Sequence, residues 1–357
     1  MQRTSCLTIT YAKQESICKH YATLATSQTK FIDSNGVNVF YNINYTITTT
    51  STAAISTTTT TTSSSTTTNI SGNLKQSIIT DHTGEIFCLI QLQNGDIASG
   101  SKDKSIKIWS FIDYSLKSSI LNAHGNEILS FDVLPNGDLV SSSSDNTIKI
   151  WNSTNLSLKL TLTGHSNRVN KLTIDSFYIV SSSYDKTIKF WNDSTGVLVN
   201  TVQVNDQIES LVSLKNGLIG IGSSSKTIQV LNPLTGAIAV SFDAHSNTIS
   251  CLILLKNGDM ASGSYDNTIK IWNSTIWTLK YTLNGHGNRI NALAVLNNGD
   301  LASGSTDSTI KIWDSANSWA LKRTLTNHTG SVECLTVLSN GYLASGSTDL
   351  TIKIWEL

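Results

Sequence analysis

The chain has 357 residues, 39% hydrophobic and 14% charged, enough for two average domains or for one large repetitive domain with a tail. Lys plus Arg equals Asp plus Glu at 25 each, and this zero formal charge argues against an electrostatic footprint for nucleic acid or an anionic membrane. Two prolines, a low charged fraction, a mean hydropathy of −0.05 and no apolar run of about 18 residues argue against a linker protein, a coiled coil or a membrane-spanning helix.

The amino terminus, MQRTSCLTITYAKQESICKH, alternates polar with apolar residues and lacks the continuous apolar core of a secretory signal, so an intracellular protein, cytoplasmic or nuclear, is expected. Val37, Val39, Tyr41, Ile43, Tyr45 and Ile47 alternate with polar residues after an Asn35-Gly36 turn signal, the period of a strand that must pair with something else. Between Thr46 and Thr68, 19 of 23 residues are Ser or Thr, too few large apolar side chains to offset ordering entropy. Residues 1–72 therefore read as a low-complexity Ser/Thr-rich leader, a disordered tether without an independent domain.

From Asn73 the chain repeats. Ser-Ile-Lys-Ile-Trp109 returns as copies ending at Trp151, Trp191, Leu231, Trp272, Trp313 and Trp355, spaced 42, 40, 40, 41, 41 and 42 residues apart. That period suits a four-stranded blade of a propeller. Short β-branched runs are separated by Asn-Gly pairs at Asn94, Asn136, Asn216, Asn257, Asn298 and Asn340, which predict two-residue hairpins.

Three more columns accompany the Trp. His82, His124, His165, His245, His286 and His328 precede Ser99, Ser141, Ser181, Ser262, Ser303 and Ser345 by 16 or 17 residues. Four further on stand Asp103, Asp145, Asp185, Asp266, Asp307 and Asp349, and the Trp follows six later. The fourth copy lacks the set, with Asn205-Asp206 read in the His place and Ile221, Ser225 and Leu231 in the others.

On these columns residues 73–357 resemble the WD-repeat β-propeller family. The resemblance implies an all-β, seven-bladed propeller of four-stranded blades, with residues 73–79 closing the ring as the outer strand of the last blade. It also implies a buried hydrogen-bond chain in each blade from Trp through Ser and His to Asp. A Ser, His and Asp constellation suggests nucleophilic catalysis, but catalysis needs it once, at an exposed cleft, and here it recurs six times with an indole attached. The residues also specify structure without the resemblance, because a fully satisfied buried network fixes strand register. No catalytic residue, metal site or cofactor is expected: the histidines are dispersed over six units and no Cys-x-x-Cys or His-Glu-x-x-His spacing occurs. Cys88, Cys251 and Cys334 share one column and are expected to be reduced thiols packed as small apolar residues. In the fourth unit apolar packing is expected to replace the network.

Binding residues carried over from the family flank the first strand and precede the Asp column. Glu85, Phe87, Lys102, Glu127, Arg168, Tyr184, Glu209, Tyr265, Arg289 and Glu333 form the candidate partner surface. The aromatic residues are anchors of the kind enriched in hot spots, and the arginines suit acidic or phosphorylated side chains. The four acids favour a ligand of mixed charge over a polyphosphate. Lys107, Lys149, Lys189, Lys270, Lys311 and Lys353 are expected to bury their stems between blades with the amines in water, and Trp277 and Trp319 to pack on outer strands. The resulting expectation is a non-catalytic scaffold that holds a peptide or protein on the loop face, monomeric within a larger complex, binding neither nucleic acid nor membrane. The alternative is a propeller enzyme or small-ligand receptor using the central channel.

Overall fold

The computed structural model describes residues 18–19, 24–25, 28–33 and 38–42 as strands, and residues 73–357 apart from 176–177, 216 and 234. The chain divides into two compact units, Met1–Thr67 and Thr68–Leu357. In the first, Gln28–Asp33 pairs antiparallel with Cys18–Lys19 and Leu24–Ala25 on one edge and with Asn38–Asn42 on the other. The alternating run after Asn35-Gly36 thus supplies a strand whose partner is the segment just before it. The Ser/Thr tract between Thr46 and Thr68 lies outside the described residues.

The second unit is a seven-bladed propeller. Seven four-stranded antiparallel sheets follow one another, and every regular element among the described residues is a strand. Among those residues, no helix is long and apolar enough to cross a membrane. The innermost strands are Ile86–Gln91, Ile128–Val133, Val169–Asp175, Ile208–Ser213, Ile249–Leu254, Ile290–Val295 and Val332–Val337. Each touches the innermost strand of the next blade, and the seventh touches the first, so the sheets close into a ring. The second strands, such as Ile97–Ser101 and Leu301–Ser305, are buried along their whole length, whereas outer strands such as Leu116–Ile120 stay largely exposed. A fully buried strand must be apolar or small on both faces, hence the recurring Ala-Ser-Gly-Ser. The core lies between blades: one apolar cluster joins Ala261, Ile269 and Ile271 of blade five to Ile290, Leu301 and Trp313 of blade six. Burying each large side chain stabilises by about 1.5–3 kcal/mol.

The ring closes as expected. Asn73–Ile79 pairs antiparallel with Thr351–Glu356, with Ile78 opposite Ile352. Thr80 Oγ1 donates to the Leu350 carbonyl at 2.6 Å and Lys353 Nζ to Ser77 Oγ at 3.0 Å. Closure by a distant strand removes the sheet edge that the last blade would otherwise present.

The Asn-Gly turns differ from expectation. Leu92 N–H donates to Asp96 O at 2.8 Å and Gly95 N–H to Leu92 O at 2.9 Å, so Gln93, Asn94 and Gly95 form a three-residue loop. Gly95 sits at φ 90°, the left-handed residue that this loop length requires. The next residue matters as much. Asp96, Asp138, Asp259 and Asp300 receive Lys117, Lys159, Lys280 and Lys322 at 2.6–2.8 Å. Each of these lysines is the extra residue of a bulge in an outer strand, which aims it at the turn. Blades three and four carry Val199 and Ala239 at the bulge, and Tyr178 and Leu218 at the Asp position, so the pair is absent there as a pair.

Candidate functional site

In blade one, Trp109 Nε1 donates to Ser99 Oγ at 2.8 Å, Ser99 Oγ meets His82 Nε2 at 2.8 Å, and His82 Nδ1 meets Asp103 Oδ2 at 2.8 Å. The same three contacts, at 2.7–2.9 Å, link the sets ending at Trp151, Trp191, Trp272, Trp313 and Trp355. A neutral imidazole protonated on Nδ1 makes every group complementary: the indole donates to Ser, Ser donates to Nε2, and Nδ1–H donates to the carboxylate. A fifth member was overlooked in the sequence. Ser105, Thr147, Thr187, Thr268, Thr309 and Thr351 donate their hydroxyls to Asp Oδ1 at 2.6–2.7 Å. A Ser or Thr two residues after every Asp in the column was the available signal.

Burial alone would raise the Asp266 carboxyl. Donors from Thr268 and Ser246, with the field of His245, outweigh it and hold the group at about 2. Burial also drives His124, His165 and His245 below the usual imidazole value, against the opposing pull of Asp145, Asp185 and Asp266. All six serines are 0% exposed, which closes them to any substrate.

Blade four needs a correction. The residue four before its first innermost isoleucine, Ile208, is Val204, so the buried Val204 occupies the His place and Asn205-Asp206 lie in the loop. Val204, Ile221 and Leu231 share one apolar cluster with Ile208, Leu211 and Ile219. Ser225, in the Asp place, donates instead to Asp206 Oδ2 at 2.7 Å. Apolar packing thus stands where the other blades carry the network.

Cys88, Cys251 and Cys334 are buried free thiols, and burial pushes Cys251 up to about 11 and the other two well above their ordinary value. The third-strand lysines depart from expectation, because most of their amines find partners inside the blade. Lys149 and Lys270 donate to the Ala123 and Ala244 carbonyls at 2.6 Å, and Lys189 and Lys311 to Thr201 and Thr324 hydroxyls at 3.1 Å. Trp319 is buried in the core between blades five and six, and Trp277 packs partly buried against Phe242.

On the loop face every innermost strand carries a bulge just after its first residue. Ile86 faces Ser101 while Cys88 faces Gly100, leaving Phe87 as the extra residue. The same shift singles out Leu129, Asn170, Glu209, Ser250, Asn291 and Glu333. Bulges re-aim side chains. Phe87, Asn291 and Glu333 line a central cavity of about 180 Å³ that also includes Lys171, a residue not singled out in the sequence.

The candidate partner residues fall into three groups. Glu85 and Lys102 face each other at 3.4 Å on blade one, while Glu127 of blade two has no ion-pair partner among the described residues. Between blades three and four, the Arg168 guanidinium lies 3.7 Å over the Tyr184 ring, and the Tyr184 hydroxyl donates to Glu209. Glu209 also accepts from Asn170 Nδ2 at 2.8 Å. Burial first, then the Glu209 carboxylate, drives the Tyr184 phenol above its ordinary pKa. Between blades five and six, Arg289 lies 4.9 Å over Tyr265 and donates Nε to Thr306 at 3.0 Å. Asn291 there reaches Ser331 at 2.9 Å and Glu333 of blade seven at 3.3 Å. The asparagines are therefore as much part of this surface as the charged residues. Their signal was the twice-used Arg-x-Asn of Arg168–Asn170 and Arg289–Asn291, each followed one blade later by a glutamate.

The family model described as WD domain, G-beta repeat matches residues 73–110, 115–152, 156–192, 236–273, 277–314 and 319–356. The stretch it leaves out contains the strands of blade four that lack the network. Among solved structures, the WD40 beta propeller domain of Doa1 is similar at 23% identity with a TM-score of 0.72, over 80% of this chain and 96% of that one. No curated protein matches.

Proposed function

The chain belongs to the WD-domain, G-beta repeat family, and from that membership we propose that it is a non-catalytic scaffold holding a peptide or protein on the loop face of its propeller. The family generally serves protein interaction, and the observation that supports a loop-face site is the Arg168–Tyr184–Glu209–Asn170 assembly. Two blades fix an aromatic ring on the loop face through internal hydrogen bonds and hold a guanidinium stacked on it, so little side-chain entropy remains to be lost on binding. The channel suits the alternative less well. Its cavity of about 180 Å³ is below the roughly 300 Å³ typical of small-molecule sites, and the Ser and His groups of the network are buried within blades.

The test is affinity capture with mass spectrometry from the native cell. The full chain is compared with a variant carrying Arg168→Glu, Tyr184→Ala and Tyr265→Ala, both verified as folded by circular dichroism. Partners lost only with the triple change support loop-face binding. An unchanged set of partners would move binding to another surface.

A further inference from the structure

We propose that the partner segment carries an anionic side chain, a phosphate or a carboxylate, gripped by the guanidiniums of Arg168 and Arg289. This inference rests on the loop-face reading and narrows its ligand class.

The charges of the mouth are unevenly satisfied. Glu209 accepts from the Tyr184 hydroxyl and from Asn170, Glu333 from Asn291, and Glu85 from Lys102. The two arginines are treated differently. Among the described residues, neither has a carboxylate within ion-pair distance, and each is spread over a tyrosine ring instead. Arg168 Nε is buried without a hydrogen-bond partner, and the Nε of Arg289 donates to a neutral hydroxyl at 3.0 Å. Stacking fixes a guanidinium plane and leaves its edge for a planar or tetrahedral anion, which it binds in a forked geometry.

The two arginines bear on one region. Both guanidiniums, together with Glu209 and Glu333, act electrostatically on the Tyr265 phenol, whose pKa is raised chiefly by burial. The loop face carries two similar half-sites three blades apart, Arg168 with Asn170 and Arg289 with Asn291, each guanidinium stacked on its own tyrosine, Tyr184 or Tyr265. The carboxylates in this region already hold internal donors, so the unmet demand is for negative charge. A peptide supplying it would place the anion between the arginines and lay its backbone over Tyr184 and Tyr265.

The experiment uses the full chain, immobilised, and three degenerate 12-residue peptide libraries that differ only in the fixed central residue: phosphothreonine, glutamate or threonine. Retention of a charged library at least about 10-fold over the threonine library is expected, weakening as salt is raised. A phosphothreonine preference identifies phosphate as the source, and equal retention of glutamate identifies carboxylate. The Arg168→Met, Arg289→Met double variant should lose the preference while keeping its urea midpoint. Should it fail to fold, Arg168→Lys with Arg289→Lys keeps the charge without the fork and should bind the charged library less tightly. Equal retention of the threonine library, or a charge preference that survives both sets of changes, overturns the anion inference and leaves loop-face peptide binding standing. If the wild-type chain retains none of the three libraries, the anion inference falls, while the affinity capture with the triple variant decides loop-face binding separately.

Discussion

Val204 and Leu231 lie in one apolar cluster of blade four, at the two positions that every other blade joins as histidine and tryptophan through a serine hydroxyl. A network of this kind is retained or replaced as a whole, because each orphaned buried donor or acceptor costs about 1–3 kcal/mol. Val204→His places an imidazole beside Ile221 and Leu231 with neither the serine nor the indole available. It should destabilise the propeller by about 1–3 kcal/mol, read as a lower urea midpoint. A neutral result would show that blade four still offers the ring a partner.

The converse change is Ser303→Ala. Ser303 Oγ accepts from Trp313 Nε1 at 2.9 Å and meets His286 Nε2 at 2.7 Å, so removing it orphans two buried groups at once. A loss of about 2–4 kcal/mol is expected, larger than for Trp313→Phe combined with Ser303→Ala relative to Trp313→Phe alone. That double-mutant cycle in urea measures the coupling.

Acid should weaken the fold in two stages. His124, His165 and His245 have folded-state pKa values below the unfolded value, so the unfolded chain takes up protons first as the pH drops. Their stability is complete above the unfolded pKa near about 6.5 and is lost as pH falls toward the folded values. The carboxylate of Asp266, held at about 2, adds stability that is present above about 3.9 and is lost as pH falls through its folded value. The urea midpoint should be level above neutrality and begin to fall as the pH drops below about 6.5; a midpoint rising on acidification would contradict the neutral-imidazole assignment.

Ring closure depends on a strand far away in sequence. Ile78 is 6% exposed and clusters with Ile352 and Ile354 of the last blade. Ile78→Ala should cost about 2–4 kcal/mol, and hydrogen exchange should quicken selectively at Thr351–Glu356, the strand it covers. Uniform quickening around the ring would instead mean that the blades open together.

Ser142 and Ser182 occupy the second-strand position held by Gly100, Gly263, Gly304 and Gly346 in other blades, and their buried hydroxyls have no partner. Replacing each with Ala removes an unsatisfied polar atom without adding volume. A gain of about 0.5–1.5 kcal/mol per site is expected, measured by thermal or urea unfolding.

The repeat length and the His, Ser, Asp and Trp columns were enough to infer the seven blades, their strand type and closure by residues 73–79, because a period near 41 residues leaves few ways to bury a sheet face. Blade four shows the limit. Its missing network was plain, but column counting placed Asn205-Asp206 in the His position when strand register puts Val204 there, since loops vary in length and registers do not.

The loop face belongs to another order of information. That Phe87, Glu209 and Glu333 are re-aimed by bulges, that Arg168 lies on Tyr184, and that Asn170 reaches Glu209 of the next blade depend on contacts between residues up to about forty positions apart. Periodicity assigns a side chain to one side of a strand because backbone geometry alternates locally. It says nothing about the partner across a blade boundary, where the twist of two sheets and the extra residue of a bulge set the distance. Composition counted the acids and arginines of this surface as a mixed-charge set; packing ties the acids at Glu85, Glu209 and Glu333 to internal donors and leaves both guanidiniums without a carboxylate among the described residues.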